Sequence, residues 1–185
     1  MKMIMGAALL AVGMISVARA DEWREPDYPL KGWYAGGDLG GWRLRDRVSG
    51  VSLTGFTYSP FIGYQLNRYL GAECAYIGGN DTSTNIGAVD LSLHAQAVET
   101  SIIGSLPLSG YAGLYARAGA AKWWATTTFS YLSSSESVKD NGINGVYGAG
   151  VYEHFDVVAS RVEWTHANIQ GARINRITVA AYWKF

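Results

Sequence analysis

The side chains able to do chemistry in this chain are few and scattered. Three histidines, His94, His154 and His166, accompany one cysteine, Cys74. A structural zinc site needs three or four converging ligands, and His94 and His154 stand alone in the sequence. A single thiol supports neither a disulfide nor a cysteine cluster, so no metal site, and no cofactor, is expected. The run Glu163-Trp164-Thr165-His166-Ala167-Asn168 brings a carboxylate, an imidazole and an amide together. It lacks a placed nucleophile, without which a catalytic relay has nothing to activate. No catalytic residue is assigned. Six charged residues, Asp38, Glu73, Glu99, Arg117, Arg161 and Glu163, lie singly among small and apolar neighbours, and the chemistry open to them is ion pairing. Asn80-Asp81-Thr82 matches a glycosylation sequon, a three-residue pattern common by chance. Phe129, Tyr131 and Leu132, set among serines and mixed charges, are candidate contacts for a surface ligand, because aromatic residues anchor interfaces.

The elements that must position these groups alternate with period two. In Phe56 to Leu66 every even position is apolar; Val158, Ser160, Val162 and Trp164 share one face and Ala159, Arg161 and Glu163 the other. Ile177, Val179, Ala181, Trp183 and Phe185 alternate in the same way with Thr178, Ala180, Tyr182 and Lys184. Successive strand residues point to opposite faces, so these are strands with one apolar face. Strands are expected over 32–45, 52–66, 69–79, 88–106, 110–125, 143–154, 157–168 and 173–185, many of them longer than the five or six residues usual in globular sheets and long enough to cross a bilayer at a tilt. Trp33, Tyr34, Tyr64, Tyr69, Trp123, Trp124, Phe155, Trp164, Tyr182 and Trp183 fall near strand ends, as interfacial girdles do. Short turns at 67–68, 107–110 and 154–156 alternate with longer loops at 46–51, 78–87, 126–142 and 167–172, so both termini of the chain lie on the short-turn side. His154 falls in one of the short turns, and Cys74 takes the apolar phase between Ala72 and Tyr76. Two places strain the scheme. Pro60 cannot donate to a ladder, which suggests a bulge. Leu91, Leu93 and Ala95 share parity with Glu99, which suggests a phase shift near residue 96 or a later strand start.

Composition agrees. The chain has 185 residues, 49% hydrophobic, 13% aromatic and 16% charged, with 23 glycines; an average soluble domain is roughly 25% charged. Lys+Arg and Asp+Glu both number 15, which leaves no cationic excess for nucleic acid. Lys2, the apolar run Met3–Val17 and Ala18-Arg19-Ala20 read as a secretory leader cut before Asp21; the apolar run is short for a spanning helix. The expected organisation is a leader over 1–20, a short periplasmic segment over 21–31 and a barrel over 32–185.

The segments Gly32-Trp33-Tyr34-Ala35-Gly36-Gly37-Asp38-Leu39-Gly40, Gly63 to Glu73, Tyr115-Ala116-Arg117-Ala118-Gly119, Gly148-Ala149-Gly150-Val151 and Ser160 to Thr165 resemble, in the same order, the strands of the OmpA-like eight-stranded outer-membrane barrels. Tyr152-Glu153 departs from the acidic-then-aromatic order usual in the sixth strand. The resemblance implies an all-β, eight-stranded antiparallel up-and-down transmembrane β-barrel in the bacterial outer membrane. Strand phase assigns Asp38, Glu73, Glu99, Arg117, Arg161 and Glu163 to the lumen, and the resemblance implies the same for Glu73, Arg117, Arg161 and Glu163. Tyr182, Trp183 and the terminal Phe185 resemble the signal read by the barrel-assembly machinery. The family's optional peptidoglycan-binding domain is not expected here. Lipid A deacylases, another class of small barrels, carry a serine two residues after their histidine, where this chain has Asn168.

The expected function is structural, a lipid-embedded barrel supporting envelope integrity with a lumen plugged by ion pairs, because eight strands leave room for side chains but not for a wide aqueous channel. An adhesin or receptor acting through external loops, and a small porin, are the alternatives. Expected partners are outer-membrane lipid and lipopolysaccharide, the assembly machinery and a host or surface ligand at the loops; the protein is expected to be a monomer.

Overall fold

Continuous β-pairing follows from the alternation. The computed structural model describes residues 31–46, 52–86, 89–131, 134–155, 158–169 and 172–185. The expected leader and all but Lys31 of the 21–31 segment lie outside the described residues. Among the described residues there are nine strands: β1 Gly32–Asp46, β2 Ser52–Asn67, β3 Leu70–Gly79, β4 Thr82–Ile86, β5 Val89–Pro107, β6 Ala112–Tyr131, β7 Ser134–Phe155, β8 Val158–Ile169 and β9 Ala172–Lys184. Neighbours pair antiparallel, and β9 pairs with β1, from Tyr34↔Lys184 to Asp46↔Ala172, closing the sheet. Both β3 and β4 pair with β5, so they are successive pieces of one stave and the barrel has eight staves. Within the ring of eight staves closure leaves no sheet edge, the condition lipid imposes on a strand protein; beyond the ring, among the described residues, β7 pairs only with β6 over 134–145.

The irregularities differ from the sequence expectation. The β5–β6 ladder runs unbroken from Asp90↔Ser130 to Pro107↔Gly113, so β5 neither shifts phase near residue 96 nor starts late. The extra residue sits across from it: between Ile77↔Ala97 and Thr82↔Leu93 the β3/β4 side advances five residues and β5 four, the signature of a bulge. Pro60 pairs with Gly37 in an unbroken β1–β2 ladder and causes no bulge; between Tyr58↔Gly78 and Phe61↔Ala75 the ladder to β3 lacks its rungs but keeps its register. The segments 78–87 and 126–142, expected as loops, are mostly strand. Thr126–Tyr131 pairs with Ser134–Lys139, extending β6 and β7 into a long hairpin.

The outward face is apolar. Leu39, Ile62, Ile102, Leu106, Ile177 and Val179 are exposed to the surroundings, an arrangement that water would penalise and lipid accepts. Trp33, Tyr69, Trp124, Phe155, Trp164 and Trp183 flank this band as exposed aromatics. Tyr34, Trp123 and Tyr182, expected in the girdles, instead point inward and are buried. Cys74 is on the outward face.

Candidate functional site

The lumen holds the buried charge. The alternation that sends Leu39 and Val179 outward sends Asp38, Glu73, Glu99, Arg117, Arg161 and Glu163 inward, where all six are buried. Arg117, mid-strand on β6, is the hub. Its Nη1 donates to both oxygens of Glu163 at 2.9 and 3.2 Å, and its Nη2 donates to Glu73 at 3.1 Å and to the Ser101 hydroxyl at 2.6 Å. The same Nη2 lies 2.9 Å from Glu99 Oε1. Arg161 grips Glu73 with both terminal nitrogens at 2.6 and 2.9 Å; this forked geometry matches the planes of guanidinium and carboxylate. Tyr34 and Tyr115 donate to Glu73 and Glu163 respectively. Three carboxylates and two guanidiniums from β3, β5, β6 and β8 thus form one belt across the bore.

Toward the short-turn end an aromatic layer backs the belt. Tyr34, Phe61 and Tyr182 pack together with ring centroids 5.2–6.3 Å apart, and the Arg161 guanidinium lies 4.2 Å above the Phe61 ring. The rings fit because glycines stand opposite them: a Cβ on Gly63, the register partner of Tyr34, would fall 2.1 Å from its ring. His154 belongs to this layer. It is buried at the end of β7, in ring contact with Tyr152 and Tyr182, rather than in a turn. The Tyr152–Tyr115 contact puts Tyr152 inside, so Glu153 takes the outward phase.

Two features of the belt differ from expectation. Asp38 is buried, but among the described residues no cation is ion-paired with it, and its Oδ1 has no hydrogen-bond partner. On the long-loop side the network gains instead a third cation, Arg176, which the sequence reading omitted. Arg176 donates through Nε to Thr165 and through Nη1 to Ser59, both at 3.1 Å, and its Nη2 lies 3.7 Å from Glu99. Its parity with Thr178, Ala180 and Tyr182 was the available signal.

The Glu163–His166 run cannot act as a relay. Glu163 points into the lumen, whereas His166 stacks on Trp164 and packs against Tyr147 on the outer face. Asn168 is exposed. His94, near the long-loop end, contacts Asp81 and Gln96 at 2.5 and 2.7 Å. No group of three potential metal ligands occurs among the described residues. Asn80 of the sequon uses its side-chain oxygen to accept from the Phe56 amide. Of the candidate loop contacts, Phe129 is half-exposed on the inward phase at the long-loop end; Leu132 and the Tyr131 side chain lie outside the described residues.

Comparisons with known proteins agree with this geometry. The family model described as outer membrane protein beta-barrel domain matches residues 7–185. Outer membrane protein A of Klebsiella pneumoniae is 30% identical over 152 residues, 74% of this chain and 43% of that protein. Outer membrane protein A of Yersinia pseudotuberculosis is 28% identical over 178 residues, 90% of this chain and 49% of that protein. The chain therefore spans less than half the length of these relatives. Among solved structures, Neisserial surface protein A superposes with a TM-score of 0.66 at 17% identity, covering 83% of this chain and 97% of that one. Ail, the attachment invasion locus protein of Yersinia pestis, gives 0.58 at 17% identity, covering 84% and 99%; at such identity the likeness is one of fold. With a closed eight-stave barrel, a lipid-suited exterior and a family match over most of its length, the chain belongs to the outer membrane protein beta-barrel domain family, as an OmpA-like barrel of the bacterial outer membrane.

Proposed function

We propose that the protein is a structural, non-enzymatic component of the outer membrane that contributes to envelope integrity, its bore plugged by the Arg117–Arg161 belt. The observation that carries this reading is that the belt's ion pairs span the lumen with every member buried, leaving the barrel a wall rather than a conduit. Its outward face also suits lipopolysaccharide. Arg45 and Arg173 are register partners at the long-loop end of β1 and β9, Arg43 lies two residues along, and all three are exposed, where cations would meet the phosphates of the outer leaflet. Export by the 1–20 leader, insertion through the Tyr182, Trp183 and Phe185 signal and a monomeric state complete the proposal.

The test is genetic. A deletion strain of the source bacterium should admit more of a large hydrophobic dye, and a barrel with the 126–139 hairpin shortened to a tight turn should restore exclusion. A second reading, a receptor or adhesin at the loops, is favoured by that hairpin, whose paired strands continue β6 and β7 as a ribbon beyond the apolar band. Restoration only by the intact hairpin, or surface binding lost with it, would overturn the structural reading in favour of the second.

A further inference from the structure

Above the belt, toward the long loops, the lumen opens into a cavity of about 620 Å³, within the range of small-molecule sites. Its walls are apolar, with Trp42, Leu53, Leu93, Trp123 and Ile174 prominent among them. This explains Leu93 and Ala95, whose parity with Glu99 looked anomalous: they line the cavity on the same inward face. The space is held open by construction. Trp42 stands opposite Gly55 and Trp123 opposite Gly142. A Cβ on either glycine would come within 2.7 or 3.0 Å of the facing indole, so each ring lies flat on a bare stretch of wall instead of crossing the bore. Trp123 is fixed further by its indole N–H, which donates to Asn144 at 2.7 Å.

The floor is polar and carries both signs. Glu99 and Arg176 both line the cavity, with Thr57 and Thr165 beside them. Glu99 is 1% exposed; its Oε1 is held by Arg117 in the belt at 2.9 Å, and its Oε2 is turned to Arg176. Arg176 Nη2 reaches Glu99 only at 3.7 Å, too long for a hydrogen bond. Glu99 Oε2 and Arg176 Nη2 thus face one another across the base of an apolar chamber without a hydrogen bond between them. A charged headgroup of either sign would meet a like charge beside its counter-charge there and would have to shed its own water to reach them, in a site with little water to screen the repulsion. A hydroxyl meets neither penalty, since it donates to Glu99 and accepts from Arg176.

We infer that the outer half of the lumen is a blind receptor pocket for an uncharged amphiphile: an apolar body, such as a medium-length alkyl chain, carrying one hydroxyl head seated between Glu99 and Arg176. The belt closes the pocket below, so the ligand enters and leaves by the long-loop end. Binding is read on isolated protein and is independent of any envelope phenotype.

The experiment uses the barrel in lipid nanodiscs, equilibrated with decan-1-ol, decanoate or decylammonium and released into native mass spectrometry. Decan-1-ol should give a saturable one-to-one adduct, with the two charged analogues about tenfold weaker or more. Ala97→Phe and Ala121→Phe fill the chamber from different strands and should each abolish the adduct. Heat-modifiable gel mobility reports folding, and Ala125→Phe replaces either variant that fails to fold. Glu99→Gln should strengthen decanoate binding by removing the like charge; if that variant does not fold, the ranking of the three headgroups decides the assignment. Absence of a saturable decan-1-ol adduct, or its survival in folded filled variants, would overturn the pocket. Decanoate or decylammonium binding as tightly as the alcohol would overturn the head assignment.

Discussion

Replacing Arg117 by alanine should be the most damaging single change in the lumen, and the geometry says by how much relative to Arg161. Without Arg117, Glu163 keeps only the Tyr115 hydroxyl at 2.7 Å, and Glu99 keeps only Arg176 at 3.7 Å. Stripping the partner from a buried ion pair costs about 3–5 kcal/mol, and here two carboxylates are stripped while Glu73 still has Arg161. Arg161→Ala strands no carboxylate completely, because Glu73 retains Arg117 at 3.1 Å and Tyr34 at 3.2 Å. Its loss is a pair of charged hydrogen bonds, about 1.5–3 kcal/mol, with part of the contact over Phe61 added. The order is therefore Arg117→Ala below Arg161→Ala below wild type. Adding Glu163→Gln to Arg117→Met should recover part of the loss, because no charge is then left alone at that position. Equilibrium urea unfolding in lipid vesicles, followed by tryptophan fluorescence and by gel mobility, measures each value. Equal stabilities for the two arginine variants, or a double variant as unstable as the sum of its parts, would refute the belt as the source of the effect.

Three further outcomes follow from the packing and the faces. Gly63→Val drives a side chain into the Tyr34 ring, whose Cζ would lie 2.1 Å from the new Cβ; a loss of about 1–3 kcal/mol in the same urea assay is expected, and wild-type stability would show that Tyr34 has another resting place. Deleting Phe185, which is exposed beyond β9 and whose amide donates to Trp33, should leave little heat-modifiable barrel in the outer membrane on fractionation; normal insertion would remove it from the assembly signal. Cys74, exposed on the lipid-facing side, should react in vesicles with a lipid-soluble maleimide and resist a charged, impermeant one, and equal labelling would contradict its place in the apolar band.

The alternation that made the barrel legible is a property of lipid-facing residues, which must be apolar at every second position; Ile177, Val179 and Trp183 declared their face without help. The inward face obeys no single rule, and the reading was weakest there. Leu93 and Ala95 looked out of phase because the lumen was taken to be polar throughout, whereas its outer half is apolar. Tyr34, Trp123 and Tyr182 resembled girdle residues by position near strand ends, yet each points inward and is buried, Tyr34 and Trp123 opposite a glycine. Pairing partners come from strands far apart in sequence: Arg161 and Glu73 are 88 residues apart. So the members of the belt could be named from phase, but not who holds whom. Asp38 was placed in the ion-pair set although no ion pair holds it among the described residues, and Arg176 was passed over although its parity was visible. The extended hairpin of β6 and β7 was hidden because serine and threonine, rich in loops, also pair well in an exposed ribbon.

Whether the belt seals the bore is tested most directly by single-channel recording of the purified, gel-verified protein in planar bilayers. Wild type should give no steady current steps at moderate voltage, because charged and aromatic side chains fill the lumen from Arg176 to Tyr182. Large, stable, ohmic steps from the wild type would contradict the closed lumen and make the protein a pore.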